Sequence, residues 1–278
     1  MRDSHESILS INSPNYVKIN LLIILCTSFL FTSCATIFRS EAPLTAAPPS
    51  KNLWSYVDKN GKVDYSSLVD SPAAINYEYE LLAERSPDSH PSDFPTEKDR
   101  LAYWLNAYNI SVIYAVTQLY PIDSVQDHRP VSIYSLISGG GFFAAQKFSY
   151  GGKRLSLYTL ENKVIRKRFS DPRIHFGLNC ASTSCPDLAS QPFRKETVDQ
   201  QLDQLAKNFI NSPKALAINH EAKEIQLSAI FEWYEKDFQP NALGYIEPYL
   251  ENSSELREAQ AKGYSVSYLP YDWSLNKQ

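Results

Sequence analysis

Residues 96–119 read TEKDRLAYWLNAYNISVIYAVTQL and carry the strongest helix signal in the chain. Thr96 follows a proline and has Asp99 three residues later, which is close to a capping box. Apolar residues then recur at helical spacing, namely Leu101, Trp104, Leu105, Tyr108, Val112, Ala115, Val116 and Leu119. Pro121 ends the pattern, because proline cannot continue a helix. We therefore predict a long amphipathic helix with one face in the core.

Two asparagines, Asn106 and Asn109, lie three residues apart on the flank of this apolar face. A buried amide needs hydrogen-bond partners, so asparagines at the border of a core are unusual. They are candidates for a binding site. The alternative is a structural role, in which they hold neighbouring loops together. In both cases we expect each amide to bond loop backbone or a site residue.

Further elements follow on both sides of this helix. Tight hairpins are predicted around Gly151-Gly152 and between 215–219 and 224–227, and a last strand is predicted over 265–269. Helices are predicted over 71–84, over 156–169, after Thr197 with Gln200 as a capping box, and after Ser228. This mixture lacks a regular strand–helix alternation. It predicts an α+β fold, a single domain with helices packed on a small antiparallel sheet.

The composition is typical of a globular protein and argues against nucleic-acid and nucleotide binding. The chain has 278 residues, of which 43% are hydrophobic and 21% charged, values typical of a globular protein with a sizeable core. The net charge is −4 and no basic stripe is present, so nucleic acid is not expected as a partner. Glycine is scarce, with 9 residues, which argues against a nucleotide fold built on glycine-rich loops.

The N-terminus predicts a compartment. Residues 19–31 are mostly apolar, too few for a spanning helix but suited to a secretion signal. They lead into Ser33-Cys34, and this arrangement resembles a bacterial lipoprotein signal, in which Cys34 becomes the lipidated first residue. An uncleaved anchor or an ordinary signal peptide are the alternatives. Ala35 follows the cysteine where an aspartate would favour the inner membrane, so the resemblance implies the outer membrane, facing the periplasm.

The domain organisation follows from this reading. Residues 1–33 are predicted to be a signal peptide, 34–51 a tether rich in Pro, Ala and Ser, and 52–278 one globular domain. The expected membrane contact is the lipid anchor at Cys34. Of the four cysteines, Cys180 and Cys185 then remain in the domain. Two close thiols can pair in an oxidising compartment.

The densest chemical constellation runs from His175 to Pro186, HFGLNCASTSCP. A thiol attacks a carbonyl as thiolate, and a nearby imidazole makes thiolate available. The candidate catalytic residues are therefore Cys180 as nucleophile, His175 as base on a strand over 173–178, and Glu161 as the carboxylate that orients it, with Asp187 as an alternative. The hydroxyls of Ser182 and Ser184 are candidate ligand contacts.

Three other readings of this segment stay open. A disulfide between Cys180 and Cys185 would remove both thiols. A zinc site with His175 and both cysteines lacks an evident fourth ligand, and its spacing is unusual. His175 also fits a satisfied histidine inside the sheet. Since no phosphate loop, metalloprotease motif or EF-hand loop is present, no cofactor is expected.

The same residues carry a family resemblance. The pieces are Val63-Asp64-Tyr65; 102–109, AYWLNAYN; Leu155-Ser156-Leu157 with Glu161; 171–176, DPRIHF; Asn179-Cys180-Ala181-Ser182 with Ser184-Cys185-Pro186; 231–234, FEWY, with Asp237-Phe238; and Tyr271-Asp272-Trp273. In this order they resemble the uncharacterised family known as domain of unknown function 547. Asn162 departs from the family, in which many members have histidine. The resemblance implies a fold related to papain-like and transglutaminase-like domains, but no reaction.

Two functional hypotheses result. The first is an envelope module that binds a peptide or peptidoglycan ligand in an aromatic groove, with Trp104, Tyr108, Trp233 and Trp273 as candidate contacts. The second is a thiol-dependent hydrolase or acyltransferase that acts on peptide or amide bonds through Cys180 and His175. A Cys180–Cys185 bond would count against the second hypothesis.

Overall fold

The long helix predicted from residues 96–119 lies at the centre of the fold. In the computed structural model, which describes residues 48–128 and 141–278, this helix runs over Glu97–Leu119. The Thr96 hydroxyl accepts a hydrogen bond from the Asp99 N–H at 3.1 Å, and the Asp99 carboxylate accepts one from the Thr96 N–H at 3.0 Å. The predicted capping box is therefore confirmed.

The described part of the chain contains the following helices and strands. The helices are α1 (Tyr65–Asp70), α2 (Ala73–Glu84), α3 (Glu97–Leu119), α4 (Leu157–Thr159), α5 (Arg166–Arg168), α6 (Ile174–Gly177), α7 (Val198–Ile210), α8 (Ala229–Trp233), α9 (Ala242–Ile246) and α10 (Ser254–Ala261). A π-helical segment, Leu160–Ile165, joins α4 to α5, and a second one covers Gly141–Ala145. The strands are β1 (Phe148–Tyr150), β2 (Lys153–Leu155), β3 (Leu216–Asn219), β4 (Glu224–Leu227) and β5 (Ser265–Tyr268).

The strands form two small sheets. Strands β1 and β2 make a two-stranded antiparallel hairpin, whose turn uses Gly151 and Gly152 at positive φ. Strands β3 and β4 are also antiparallel, as predicted, whereas β5 adds to β4 in parallel, with Ile225 opposite Val266. The predicted single α+β domain is confirmed, and all described residues lie in one compact unit.

Two clusters of buried apolar side chains hold the domain together. The larger one surrounds α3, whose Trp104 and Leu105 are almost completely buried. The smaller one is rich in phenylalanine and lies between α6, α7, α8 and the three-stranded sheet, with Phe176 of α6 inside it. Helix α6 therefore lies beside the second cluster and carries His175 next to Phe176.

Two sequence predictions about local structure are wrong. Residues 173–178 form helix α6 rather than a strand, because Asp171 starts a helical turn: its side chain accepts from the Arg173 N–H and its carbonyl from the Ile174 N–H. Six alternating residues cannot distinguish a strand from a buried helical turn. Thr197 makes no side-chain cap. Its hydroxyl bonds Gln201 rather than an N–H, so no capping box with Gln200 forms.

The predicted signal peptide (1–33), the acylation site Cys34 and most of the tether (34–51) lie outside the described residues. Within the described ranges, none of the helices combines the length and the apolar character that a membrane crossing requires.

Candidate functional site

The chemistry-bearing residues converge on one cleft of about 690 Å³. Its lining comes from α3, the α4–α5 helical region, α6, α8, the loop 179–186 (the cysteine loop) and residues 269–278 after β5 (the C-terminal tail). Six of these side chains decide its chemistry: Glu161, Arg166, His175, Cys180, Trp233 and Tyr271. Segments far apart in sequence thus meet at a single concave surface.

A charged network lies on one side of the cleft. Asp237 Oδ2 is 2.7 Å from His175 Nε2 and 2.7 Å from Arg166 Nε. Arg166 also donates from Nη1 to Asn162 Oδ1 at 2.6 Å. The hydrogen bond from His175, with a second from Arg166, holds the pKa of Asp237 well below its usual range. Asp237 is therefore an acceptor at neutral pH, so His175 carries a proton on Nε2.

His175 is buried and fixed in orientation. Its ring stacks on Tyr234 with centroids 4.1 Å apart, and the Arg166 guanidinium lies 4.7 Å from the same tyrosine ring. The carboxylate that pairs with His175 is thus Asp237, not Glu161 or Asp187 as predicted. Asp187 is exposed and pairs with Lys214 instead.

Glu161 has a different set of partners. The Tyr234 hydroxyl donates to its carboxylate, and the Tyr108 hydroxyl is also close to it. Burial raises the pKa of Tyr234 and of Tyr108, and the Glu161 charge raises both further. Both phenols therefore stay protonated and remain hydrogen-bond donors at neutral pH. The cleft presents a half-buried carboxylate between two tyrosines.

An aromatic wall forms the other side of the cleft. Trp233 at the end of α8 is 47% exposed and stacks against Trp273 of the C-terminal tail, with centroids 5.8 Å apart. Tyr271 contacts both rings, at 4.7 and 4.6 Å. Tyr158 of α4 adds a further exposed ring on the lining. Exposed aromatic surface of this extent, held in a concave site, is typical of ligand-binding pockets.

The cysteine loop closes the cleft. Cys180 and Cys185 are joined by a disulfide, so the structure selects that alternative among those the sequence left open. A bonded sulfur is no nucleophile, and the predicted catalytic role of Cys180 with His175 as its base is not supported. Both sulfurs are likewise unavailable to zinc. In the ranges that the structure describes, no group of three His, Cys, Asp or Glu side chains could hold a metal ion.

The two predicted serines have structural partners in this loop. Ser182 is buried, and its hydroxyl contacts Cys180 Sγ at 3.1 Å and the Tyr271 hydroxyl at 3.2 Å. The Ser184 hydroxyl accepts from the Asp272 N–H at 2.9 Å. These contacts attach the loop to the C-terminal tail, and neither serine is among the residues that line the cleft.

The asparagines of α3 hold loops, as one of the two readings predicted. Asn109 donates to the Gly177 carbonyl at 2.8 Å and accepts from the Asn179 N–H at 2.9 Å. Asn106 makes the same pair of bonds with the backbone of Phe193, at 2.9 and 2.8 Å. Neither amide lines the cleft. Asn109 positions α6 and the cysteine loop, whereas Asn106 holds the segment around Phe193.

The sequence reasoning assigned no role in the site to three residues. Arg166 belongs to no motif in the sequence, although it lies four residues after Asn162, which is about one helical turn. Asp237 and Tyr271 entered only as parts of the resemblance. Their partners lie 62 and 91 positions away in sequence, at His175 and Cys180, and no local pattern encodes such contacts.

Comparison with known proteins agrees with the family resemblance. The family model described as "Protein of unknown function, DUF547" matches residues 92–210, so the chain resembles that family over this segment. The match contains four of the seven sequence pieces, including both asparagines and the cysteine loop. Beyond the match lie Tyr271 and Trp273, which line the cleft, and Asp237, which bonds His175. Neither the curated proteins nor the solved structures provide a match to the chain, and the relation to papain-like domains stays a prediction.

Proposed function

We propose that this chain is a lipid-anchored cell-envelope protein whose cleft binds a peptide-bearing or glycan segment of the envelope, such as peptidoglycan. The observation that supports binding is the aromatic wall. The rings of Trp233, Trp273 and Tyr271 form one aromatic cluster in the lining of the cleft, and Glu161 and Arg166 add a carboxylate and a guanidinium to the same lining. Ring faces contact the apolar C–H side of a sugar, while charged and polar groups bond amides and hydroxyls.

The cleft favours binding over thiol catalysis. In the described domain both cysteines are consumed by the disulfide, so the hydrolase hypothesis has no nucleophile there. His175 is fully engaged on Nε2 by Asp237 and buried against Tyr234. Its role in this proposal is to hold Tyr234 and Asp237 in place behind the ligand.

Titration with soluble muropeptides, released from peptidoglycan by digestion, tests the proposal. We expect saturable quenching of tryptophan fluorescence in the wild-type domain, and a Kd raised by about tenfold or more in Trp233→Ala, because central aromatic anchors carry most binding energy. Tyr268→Ala is the matched control, since Tyr268 is 40% exposed but lies on β5 outside the cleft lining. Absence of saturable binding, or equal loss in both variants, would refute the proposal.

The anchor has its own test. The proposal expects loss of residues 1–33 and acylation of Cys34, which the intact mass of detergent-extracted protein measures directly. An unmodified chain that begins at Met1 would refute the anchor while leaving the cleft proposal untouched. Cys34→Ser should release the mature domain from the membrane fraction.

A further inference from the structure

The Cys180–Cys185 disulfide lies in the wall of the cleft. Both cysteines line the cleft; Cys180 is half-buried and Cys185 is 4% exposed. The two sulfurs therefore differ in access. The more exposed Cys180 is therefore the expected entry point for a reagent that enters the cleft.

Hydrogen-bond donors surround both sulfurs. The Cys180 N–H donates to Cys185 Sγ at 2.9 Å, and the Tyr271 hydroxyl lies 3.4 Å from Cys185 Sγ and 3.2 Å from Cys180 Sγ. The Ser182 hydroxyl lies 3.1 Å from Cys180 Sγ. A disulfide sulfur carries no hydrogen, so the Cys180 N–H and the Tyr271 hydroxyl are the donors to sulfur, while the Ser182 hydroxyl donates to the Tyr271 oxygen. Such donors gain little from a disulfide sulfur, which is a weak acceptor, and much from a thiolate.

The Tyr271 hydroxyl remains a donor over the physiological range. Burial raises the pKa of Tyr271 to about 12, and the hydrogen bond with Ser182 opposes that rise. The phenol is therefore protonated wherever a thiolate would form beside it.

Hydrogen bonds hold the loop in addition to the disulfide. Asn179 Oδ1 accepts from the Ala181 N–H at 2.8 Å, and Asn179 Nδ2 donates to the Pro186 carbonyl at 2.8 Å, so one side chain spans the loop. The C-terminal tail adds bonds from the Thr183 N–H to the Ser274 carbonyl and from the Ser184 N–H to the Asp272 carbonyl. Because these bonds do not involve sulfur, we expect them to hold both cysteines close together after the disulfide opens.

We propose that this disulfide is redox-active and exchanges with thiols that enter the cleft, an activity independent of the proposed ligand. A substrate thiolate attacks Cys180 Sγ, forms a mixed disulfide with it and releases Cys185 as a thiolate, which the Cys180 N–H and the Tyr271 hydroxyl stabilise. A second substrate thiolate then attacks the substrate sulfur of the mixed disulfide and releases Cys180. In total, two substrate thiols are oxidised to one disulfide, and the protein disulfide is reduced to a dithiol. The same steps in reverse, with a substrate disulfide, restore the protein disulfide.

Reduced glutathione is the probe that tests this activity. The folded full chain is treated with excess reduced glutathione, quenched with a maleimide and digested, and labelling is read on the peptide that contains Cys180 and Cys185. We expect reduction of the native protein within minutes. A disulfide that resists glutathione until urea unfolds the chain would overturn the proposal.

Conservative variants separate an active disulfide from a merely accessible one. Tyr271→Phe should slow reduction about tenfold, because a hydrogen bond to a charged group is lost from the leaving thiolate. Tyr264→Phe is the control, since that hydroxyl bonds His220 and should leave the rate unchanged. Ser182→Ala, which removes the hydroxyl that donates to the Tyr271 oxygen and so orients the Tyr271 donor toward the sulfurs, should also slow exchange and serves where Tyr271→Phe does not fold. Equal rates in wild type and the variant would overturn the role of the donors.

Trapping identifies the attacked sulfur. Cys185→Ser should accumulate a stable mixed disulfide of Cys180 with glutathione when oxidised glutathione is added, because no resolving thiol remains. Cys180→Ser should accumulate far less, since the Cys185 sulfur is buried. The opposite order would contradict the assignment of Cys180 as the entry point.

Discussion

Replacing Asn109 by leucine should destabilise the domain through the backbone groups that it leaves without partners. Asn109 is 1% exposed and lies on α3 between the last turn of α6 and the start of the cysteine loop. Its amide donates to the Gly177 carbonyl at 2.8 Å and accepts from the Asn179 N–H at 2.9 Å. Leucine has a similar volume, so the substitution removes these two bonds without opening a large cavity.

The magnitude follows from these two groups. A buried backbone group without a partner costs about 1–3 kcal/mol, so the pair costs about 2–6 kcal/mol. Burying leucine in place of an amide offsets part of this, about 1.5–3 kcal/mol. The net loss in free energy of unfolding is therefore expected at about 1–3 kcal/mol, a large fraction of the stability of an ordinary domain.

Urea unfolding of the domain, followed by circular dichroism, measures this difference. Asn106→Leu is the matched control. Asn106 lies on the same helix and makes the same pair of backbone bonds, here with Phe193, but its side chain is only half-buried, so that water can replace the lost bonds. We expect about 1 kcal/mol or less for that variant. A loss below about 0.5 kcal/mol for Asn109→Leu, or equal losses for both variants, would refute the reasoning from stranded buried groups.

Two further predictions concern charge and backbone geometry. The pKa of Asp237 is lower in the folded chain than in the unfolded one, so its pairing with His175 and Arg166 stabilises the fold at neutral pH. This contribution fades as the pH falls below about 4. The urea midpoint should therefore drop more steeply with acid in the wild type than in Asp237→Asn, and parallel curves would contradict the pairing. Gly61→Ala should cost clearly more than Gly263→Ala, because both glycines have positive φ but a Cβ at Gly61 would lie 2.4 Å from the Leu188 nitrogen, whereas one at Gly263 meets nothing within 4 Å. Gly263→Ala should cost about 1–2 kcal/mol, the cost of a side chain at positive φ alone. Equal thermal shifts would argue against the close approach of the 58–62 turn to the backbone of Asp187 and Leu188.

Local sequence patterns determined most of the secondary structure. The α3 helix, its capping box and both hairpins depend on residues within a few positions of one another, and such short-range preferences can be recognised without a structure. Dependence on local patterns also explains why the predicted strand over 173–178 was wrong. A local feature, the turn started by Asp171, outweighed a short alternation that fits a strand and a buried helical turn equally well.

The tertiary structure alone decided the chemistry of the cleft. The sequence identified His175, Glu161 and the two cysteines as notable residues, but paired them by proximity along the chain. The fold pairs His175 with Asp237 and brings Tyr271 to the sulfurs, because α6 packs against the segment after α8 and the C-terminal tail crosses the cysteine loop. These pairings depend on packing between elements many residues apart, and side-chain chemistry at one position does not specify which distant partner it will meet.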